Sequence, residues 1–216
     1  MGLTVDIVIP TVGRATLEQS ILAALAQTYP ECRVVVVGDG PQFEAPQIFE
    51  RATADRDRPC IYAETPQRIG FGDGVIQWWI ESGRAGDCIR SLDDDDWMPP
   101  VAVDDMMAEL EADPANVMVA CQMMITVARL GRVSRWRIQE PVMVEGKIGN
   151  GSVLYRTGSA SGAPAVFVPN CDFYRLKYIA DKGRLAIVDR PLYWYLAYRG
   201  AKERLAVARA LGYAKD

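Results

Sequence analysis

The chain has 216 residues, of which 50% are hydrophobic and 24% charged, a composition typical of a globular domain with one sizeable core. Its net charge of −4 argues against the broad basic face that nucleic-acid binding usually needs, although a local basic patch stays open. The sequence has no histidine, which excludes serine–histidine and cysteine–histidine catalysis and removes the commonest zinc ligand. Acid–base chemistry therefore falls to carboxylates, tyrosine, lysine or cysteine.

The cysteines and the N-terminus indicate the compartment. The five cysteines form no CxxC pair, and their odd number and apolar neighbours favour reduced, buried thiols. No basic segment followed by an apolar run and a cleavage site opens the chain, so we expect no signal peptide. The longest apolar runs are about strand length, well below the roughly 20 residues of a membrane span. These features predict a cytoplasmic protein without a transmembrane segment.

The first half of the chain alternates short apolar runs with amphipathic segments. Strands are predicted at 5–10, 34–37, 59–63 and 87–92, and helices at 15–28, 47–54, 73–82 and from 99 to about 112. Strands that are nearly continuously apolar, separated by helices, are typical of a parallel sheet covered on both faces. The sequence therefore predicts an α/β fold.

The pattern changes in the second half. Strands are predicted at 117–128, 132–138, 152–156, 164–168 and 185–188, and helices at 172–182 and 201–212. Glycines and serines lie between these strands, which favours a mixed or antiparallel part of the sheet. No repeat, linker or low-complexity tract interrupts the chain, so residues 1–216 are predicted to form a single domain.

Four consecutive aspartates, 93–96, follow the predicted strand 87–92. Carboxylates so close together repel one another, and a shared cation would favour their ionised forms. Oxygen ligands select hard ions such as Mg²⁺ or Mn²⁺, which usually bridge carboxylates to substrate phosphates. Ligands of open α/β sheets also bind beyond the carboxyl ends of the strands, where this run falls. The sequence therefore predicts a metal and diphosphate site.

Three alternative roles fit the aspartate run less well. The first is a set of acids favoured by the dipole of the helix that follows, which suits Asp95 and Asp96 better than all four. An EF-hand loop counted from Asp93 would need glycine and glutamate where Met98 and Asp104 stand. A phosphatase-type Asp-x-Asp motif would follow the first strand, and would have threonine or valine where Trp97 stands.

Five segments of the chain carry a shared pattern. They are VIPTVGR at 8–14, VVVGDG at 35–40, GDCIRSLDDDD at 86–96, NCDFYRL at 170–176 and PLYWY at 191–195. Together these segments resemble the family 2 glycosyltransferases. The resemblance covers roughly residues 5–198 and implies a GT-A fold, with a nucleotide-sugar-binding half at 1–98 and an acceptor-side half at 99–216. It also implies an inverting transfer of sugar from a nucleotide-sugar, with a UDP-sugar favoured, to an acceptor hydroxyl. Mn²⁺ or Mg²⁺ is the implied cofactor.

The resemblance also implies roles for individual residues. Asp39 would accept a hydrogen bond from the uracil base, Asp93 and Asp94 would contact ribose, Asp95 would bind the metal, and Asp172 would be the general base. The residues implied in nucleotide-sugar binding are Pro10, Thr11, Arg14, Asp39, Arg68, Asp93 and Asp94. Four of the residues named have a structural alternative: an Asp–Gly turn at Asp39, a helix start at Arg14, a plain loop at Arg68 and a first-turn acid at Asp172. Trp97 and Trp136 could stack on sugar rings or belong to the core.

Three departures from the family pattern keep other functions open. Cys171 replaces the usual glutamate before the base, segment 68–74 has no assignable register, and a histidine often found after the tyrosine-rich strand is missing. A catalytically inactive sugar-nucleotide-binding module is therefore one alternative, and a phage-type glycosyltransferase acting on a DNA nucleobase is another. A sugar-1-phosphate nucleotidyltransferase is disfavoured, because the loop at 11–14 is too short and too poor in glycine.

Overall fold

The structure is a computed structural model that describes residues 2–129, 132–164 and 171–197, with side chains described outside 127–136 and 196–197. Its first half is a run of alternating strands and helices. These are β1 Val5–Thr11, α1 Leu17–Leu25, β2 Cys32–Gly38, α2 Ala45–Thr53, β3 Cys60–Glu64, α3 Gly72–Glu81, β4 Cys88–Ser91 and α4 Ala102–Ala112. The four strands pair in parallel in the order β3-β2-β1-β4. The predicted parallel sheet is confirmed.

The first helix is shorter than the predicted 15–28, and the reason lies in the residues after it. The Gln27 side chain donates to Ala23 O at 3.1 Å and Pro99 O at 2.9 Å, and the Thr28 N–H donates to Pro100 O at 2.8 Å. These bonds tie the chain to the start of α4 rather than continuing α1. Leucine periodicity alone cannot reveal such long-range partners.

The second half adds longer strands and short helices. They are β5 Asn116–Arg129, β6 Arg132–Gln139, a 3-10 turn Asn150–Ser152, β7 Val153–Arg156, α5 Thr157–Ala160, α6 Cys171–Ala180 and β8 Arg184–Ala197. Strand β7 is antiparallel to both β4 and β5, β6 is antiparallel to β5, and β8 is parallel to β5. The sheet order is β3-β2-β1-β4-β7-β5-β6, with β8 on the other edge of β5. The predicted mixed sheet is confirmed.

Strand β8 is much longer than the predicted 185–188, because it continues past a proline. Pro191 pairs with Gln122 between register shifts on both sides, so a bulge accommodates a residue that cannot donate to the ladder. The predicted helix 201–212 lies outside the described residues, as do all but the first residue of the predicted strand 164–168. No helix in the described part of the chain is both long and apolar enough to cross a membrane.

The core lies on both faces of the sheet. In β1, Ile7 and Ile9 pack with α1, α2 and α4, while Val8 between them packs with α3 and α6. All three are fully buried, which explains why this strand has three consecutive apolar residues at its centre. Strands β1, β2 and β4 end at one edge of the sheet, and the loops that follow them carry the predicted site residues.

Candidate functional site

A first cavity of about 340 Å³ lies at the carboxyl edge of β1, β2 and β4. Its lining residues are Pro10, Thr11, Val12, Arg14, Asp39, Arg68, Gly70, Gly72, Val75, Asp93, Asp94, Asp95 and Tyr195. All seven residues predicted for nucleotide-sugar binding are in this set, together with the predicted metal ligand Asp95. The loops after three neighbouring strands thus bring separate sequence segments into one cavity.

Asp94 is held by the first loop. Its carboxylate accepts from Thr11 Oγ1 at 2.7 Å and from the Arg14 guanidinium, and its side chain is 1% exposed. Arg14 also lies 3.7 Å from the Asp95 carboxylate. Arg14 therefore pairs with carboxylates and does not merely open a helix, and Asp94 joins the loops after β1 and β4.

The other three aspartates form an acidic cluster. Carboxylate oxygens of Asp93, Asp95 and Asp96 all lie within 4.8 Å of one another. Three carboxylates at this spacing, two of them partly exposed, fit the oxygen coordination that Mg²⁺ and Mn²⁺ require. Helix α4 begins only at Ala102 and has Asp104 and Asp105 in its first turn, so the run does not consist of acids of that helix. The sequence analysis named only Asp95 for a metal, and the structure places the Asp93 and Asp96 carboxylates beside it.

Asp96 is fixed from the far end of the chain. Tyr193 of β8 donates its phenol hydrogen to the Asp96 carboxylate, and Ser20 Oγ donates to the Asp96 backbone oxygen at 3.0 Å. Burial, followed by the charges of Asp93 and Asp96, raises the pKa of Tyr193 well above its ordinary value. The phenol therefore stays protonated and remains a donor. A Cβ at Gly151 would lie 1.9 Å from the Tyr193 ring, so glycine is required there.

Asp39 organises the loop that the sequence left without a register. Its carboxylate accepts from the backbone N–H groups of Ile69 at 2.5 Å and Gly70 at 2.9 Å, and Arg68 Nε lies 3.8 Å away. Gly70 has φ of +96°, a conformation that glycine adopts without strain. Asp39 therefore holds segment 68–70 over the first cavity while it lines the cavity itself.

A second, larger cavity of about 620 Å³ adjoins the first. The residues that line both are Gly72, Asp93 and Tyr195. Asp172 lines the second cavity, as expected of a side chain facing a cleft, and it lies in the first turn of α6. The predicted base and part of the acidic cluster thus line two cavities that adjoin at Gly72, Asp93 and Tyr195.

The Asp172 carboxylate is held by two backbone groups. It accepts from Asn150 N at 3.3 Å and Phe173 N at 3.0 Å. Burial raises the pKa of Asp172 above its ordinary value, and these two hydrogen bonds oppose that rise. Neither donor involves the side chain of residue 171, so the carboxylate is oriented without the glutamate that Cys171 replaces.

One family of known proteins matches most of the chain. The sequence matches glycosyl transferase family 2 over residues 6–169. The chain belongs to this family. A search of curated protein sequences finds no significant match.

Solved structures share the fold of this family 2 chain at low sequence identity. TarS 1–349 of S. aureus in complex with UDP has a TM-score of 0.68 at 16% identity, over 97% of this chain and 71% of that one. The mannosyltransferase PcManGT of Pyrobaculum calidifontis, in complex with GDP-Man and Mn²⁺, has 0.69 at 18%, over 98% and 62%. Glucosyl-3-phosphoglycerate synthase of Mycobacterium tuberculosis, in complex with phosphoglyceric acid, has 0.65 at 14%, over 98% and 80%. The chain shares the α/β architecture of these GT-A proteins.

A buried polar network behind Asp172 was missed by the sequence analysis. The Arg175 guanidinium donates to Asp73 Oδ1 at 2.6 Å, Asn150 Oδ1 at 2.6 Å and the Tyr155 hydroxyl, and its side chain is 0% exposed. Asn150 also donates to Asp73 at 3.0 Å. The network joins α3, the 3-10 turn, β7 and α6 beneath the second cavity. The sequence offered one sign of this network. Arg175 lies three residues after Asp172 and four before Ile179, so it shares a face of α6 with them.

A second buried arginine lies beneath the acidic loop. Arg90 in β4 is fully buried, donates to the backbone oxygens of Gly151 and Val153, and lies over the Tyr193 ring.

Trp97 could stack on a sugar ring or belong to the core, and the structure shows it packed against another side chain. Its ring packs on Trp194 at 4.6 Å, and it lines neither of the two cavities. The Trp136 side chain lies outside the described part of the structure.

Proposed function

We propose that the protein is an inverting glycosyltransferase that moves a sugar from a UDP-sugar to an acceptor hydroxyl. The observation that carries the proposal is the junction of the two cavities at Asp93 and Tyr195. Asp93 and Asp95 of the acidic cluster line the first cavity, and Asp172 lines the second. A donor in the first cavity and an acceptor in the second would therefore meet at the junction.

The first cavity suits a nucleoside diphosphate. The Asp39 carboxylate keeps acceptor capacity beyond its two backbone bonds, because each oxygen accepts more than one hydrogen bond, and it can take the N–H of a uracil base. Arg68 is 75% exposed in its side chain and can reach a phosphate. TarS with UDP and PcManGT with GDP-Man and Mn²⁺ support a nucleotide donor in this fold.

Asp93, Asp95 and Asp96 would hold Mn²⁺ or Mg²⁺. A divalent cation bound there would offset the charge that develops on the departing diphosphate. The protein's contribution is to hold the three carboxylates together, through Tyr193 and Ser20 on Asp96 and Arg14 near Asp95. These carboxylate oxygens thus fit Mn²⁺ or Mg²⁺, the cofactor that the family resemblance implies.

Asp172 is the proposed general base. It takes the proton of an acceptor hydroxyl as the oxygen forms a bond to the anomeric carbon, while the bond from that carbon to the diphosphate oxygen breaks on the opposite face. The sugar configuration is inverted by this single displacement. Burial, by raising the pKa of Asp172, makes the carboxylate a stronger base than an exposed aspartate.

The alternative of a catalytically inactive sugar-nucleotide-binding module has one specific observation in its favour. The unusual Cys171, which is buried at 8% exposure, suits a binding module that has lost its activity. Against that alternative, two N–H donors orient Asp172 independently of residue 171.

A ligand screen followed by a turnover assay tests the proposal. Thermal unfolding is measured with UDP, GDP, ADP, CDP and their glucose conjugates, in Mn²⁺ and in EDTA. We expect UDP compounds to raise the midpoint in Mn²⁺ only, because a ligand that binds the native state alone stabilises it. Release of UDP from the bound UDP-sugar would then distinguish an enzyme from a binding module. A screen in which no nucleotide raises the midpoint would refute the donor assignment.

A further inference from the structure

The floor of the second cavity is one face of the sheet formed by β6, β5 and β8. Arg137 pairs with Ile125, which pairs with Tyr195, in one row across the three strands. The neighbouring row, two residues along each strand, is Gln139, Met123 and Tyr193. Residues two apart on a strand point to the same face, and all six line the cavity. Tyr195 also lines the first cavity, so the two tyrosines form the end of this face near that cavity, and Arg137 forms the far end.

The far end has two cationic residues, Arg137 and Lys147, which are linked through hydrogen bonds to Gln139. The amide of Gln139 accepts from Arg137 Nη2 at 3.5 Å and donates to the backbone oxygen of Lys147 at 2.8 Å. Arg137 and Lys147 both line the cavity and are both exposed. Among the residues that the structure describes, no carboxylate forms an ion pair with either of them.

The near end has the opposite charge. Asp93 lies there, because it lines both cavities, and Asp172 also lines the second cavity, whereas Asp73 is already paired with the buried Arg175. Between the two ends the floor is apolar, with Met123 and Ile125 at its centre. A ligand that fits such a cavity has a neutral hydroxyl at the acidic end and a negative group at the basic end.

We propose that the acceptor is a small hydroxylated compound with an anionic group, a phosphate or a carboxylate, bound by Arg137 and Lys147. This inference rests on the proposed function, because it assigns the second cavity to the acceptor. Arginine offers paired N–H donors to such oxygens and lysine adds a point charge. Arg137 and Tyr195 lie in strands separated by β5, so the anion sits about 10 Å, two strand spacings, from the tyrosine end. A volume of about 620 Å³ suits a small molecule.

The test uses three probes with one sugar ring: glucose, glucuronic acid and glucose 6-phosphate. Binding is measured by calorimetry in EDTA, so that no metal at the acidic cluster can attract the anion. We expect an anionic probe to bind at least about tenfold more tightly than glucose. The double variant Arg137→Gln/Lys147→Gln should lose this preference. The tighter of the two anionic probes identifies the group as phosphate or carboxylate.

The matched control is Arg51→Gln/Lys177→Gln, which removes the same charge from two exposed, ion-paired residues outside the cavity. It should keep the parent's preference. Equal binding of all three probes by the parent, no binding of either anion, or an unchanged preference in the Arg137/Lys147 variant would overturn the proposal. UDP affinity in Mn²⁺ is measured on the same proteins. If UDP binds and the anions do not, the acceptor inference fails while the donor assignment stands.

Discussion

The Tyr193 phenol donates a hydrogen bond to the Asp96 carboxylate across 97 residues of sequence. The two residues after them also pair, because Trp194 N donates to Trp97 O at 2.8 Å and Trp97 N donates to Trp194 O at 3.3 Å. Strand β8, from the second half of the fold, therefore fixes the acidic loop that follows β4 in the first half. The geometry of the acidic cluster depends on both halves.

The first prediction follows from this contact. Tyr193→Phe leaves the buried Asp96 carboxylate without its phenol donor, so it should lower the free energy of unfolding by about 1–3 kcal/mol. Loss of a group that orients a ligand typically weakens metal binding about tenfold or more, and calorimetry with Mn²⁺ measures this. Tyr62→Phe is the control, because Tyr62 donates to Glu64 at 2.7 Å on β3, away from the cluster. Equal Mn²⁺ affinity in both variants would contradict the role of Tyr193.

The second prediction concerns the cofactor. UDP binding should require Mn²⁺ or Mg²⁺, and Asp95→Ala should weaken it sharply, because Asp95 supplies one of the three clustered carboxylates. Calorimetry with UDP in Mn²⁺ and in EDTA measures both effects. Asp57→Ala, at an exposed position in the loop before β3, should bind UDP as the parent does. The same UDP affinity with and without metal would rule out the proposed metal role.

The third prediction concerns base selection. Asp39→Ala should reduce the preference for UDP over other nucleoside diphosphates more than it lowers overall stability. Asp39→Ala should lower the free energy of unfolding by only about 1 kcal/mol. In this variant, water can replace the carboxylate that accepts from the backbone N–H groups of residues 69 and 70. Competition binding gives the preference and urea unfolding the stability. A variant that distinguishes the nucleotides as well as the parent does would exclude Asp39 from base recognition.

The fourth prediction separates catalysis from binding. Asp172→Asn keeps the shape of the side chain but removes its basicity, so transfer should fall by about 10²- to 10⁴-fold. Affinities for UDP-sugar and Mn²⁺ should stay close to those of the parent, because Asp172 does not line the first cavity. Transfer at a near-parental rate would refute the base role. Binding that falls as far as activity would show that Asp172 is structural.

The fifth prediction uses the raised pKa of Asp172. Burial makes the folded carboxyl take up its proton above its ordinary pKa of 3.8, so this group makes folding less favourable as the pH rises from 3.8 through the raised pKa. Asp172→Asn lacks that titration. Its unfolding free energy relative to the parent should therefore increase with pH in this window and level off above it. Urea unfolding at intervals between about pH 4 and 7 measures the difference, and parallel curves would contradict the shift.

The sequence predicts the parallel half of the fold well, because its strands are short, mostly apolar runs that alternate with amphipathic helices. It predicts the first cavity for the same reason, since residues after β1, β2 and β4 must meet at one sheet edge. The composition of the acidic cluster was predicted only in part. Asp94 and Asp96 are both aspartates in one run, and only their partners, Arg14 and Tyr193, distinguish their roles.

The second half was predicted less completely because its contacts are long-range. The path of β8 past Pro191 depends on a bulge against β5, and propensity gives no sign of it. Arg175 and Asp73 lie 102 residues apart and are buried together. A buried charge pair of this kind has no local pattern, since each partner by itself is an ordinary charged residue in a helix.

The late position of Tyr193 has a consequence for biosynthesis. The strands that frame the first cavity lie within residues 5–91, and the N-terminal part of a chain is synthesised first. The donor of Asp96 is not made until residue 193. A nascent chain that has formed the parallel half still has an incomplete acidic cluster, and the cluster matures only when β8 docks along β5. Metal binding would therefore report the arrival of β8 in a series of ribosome-stalled chains of increasing length.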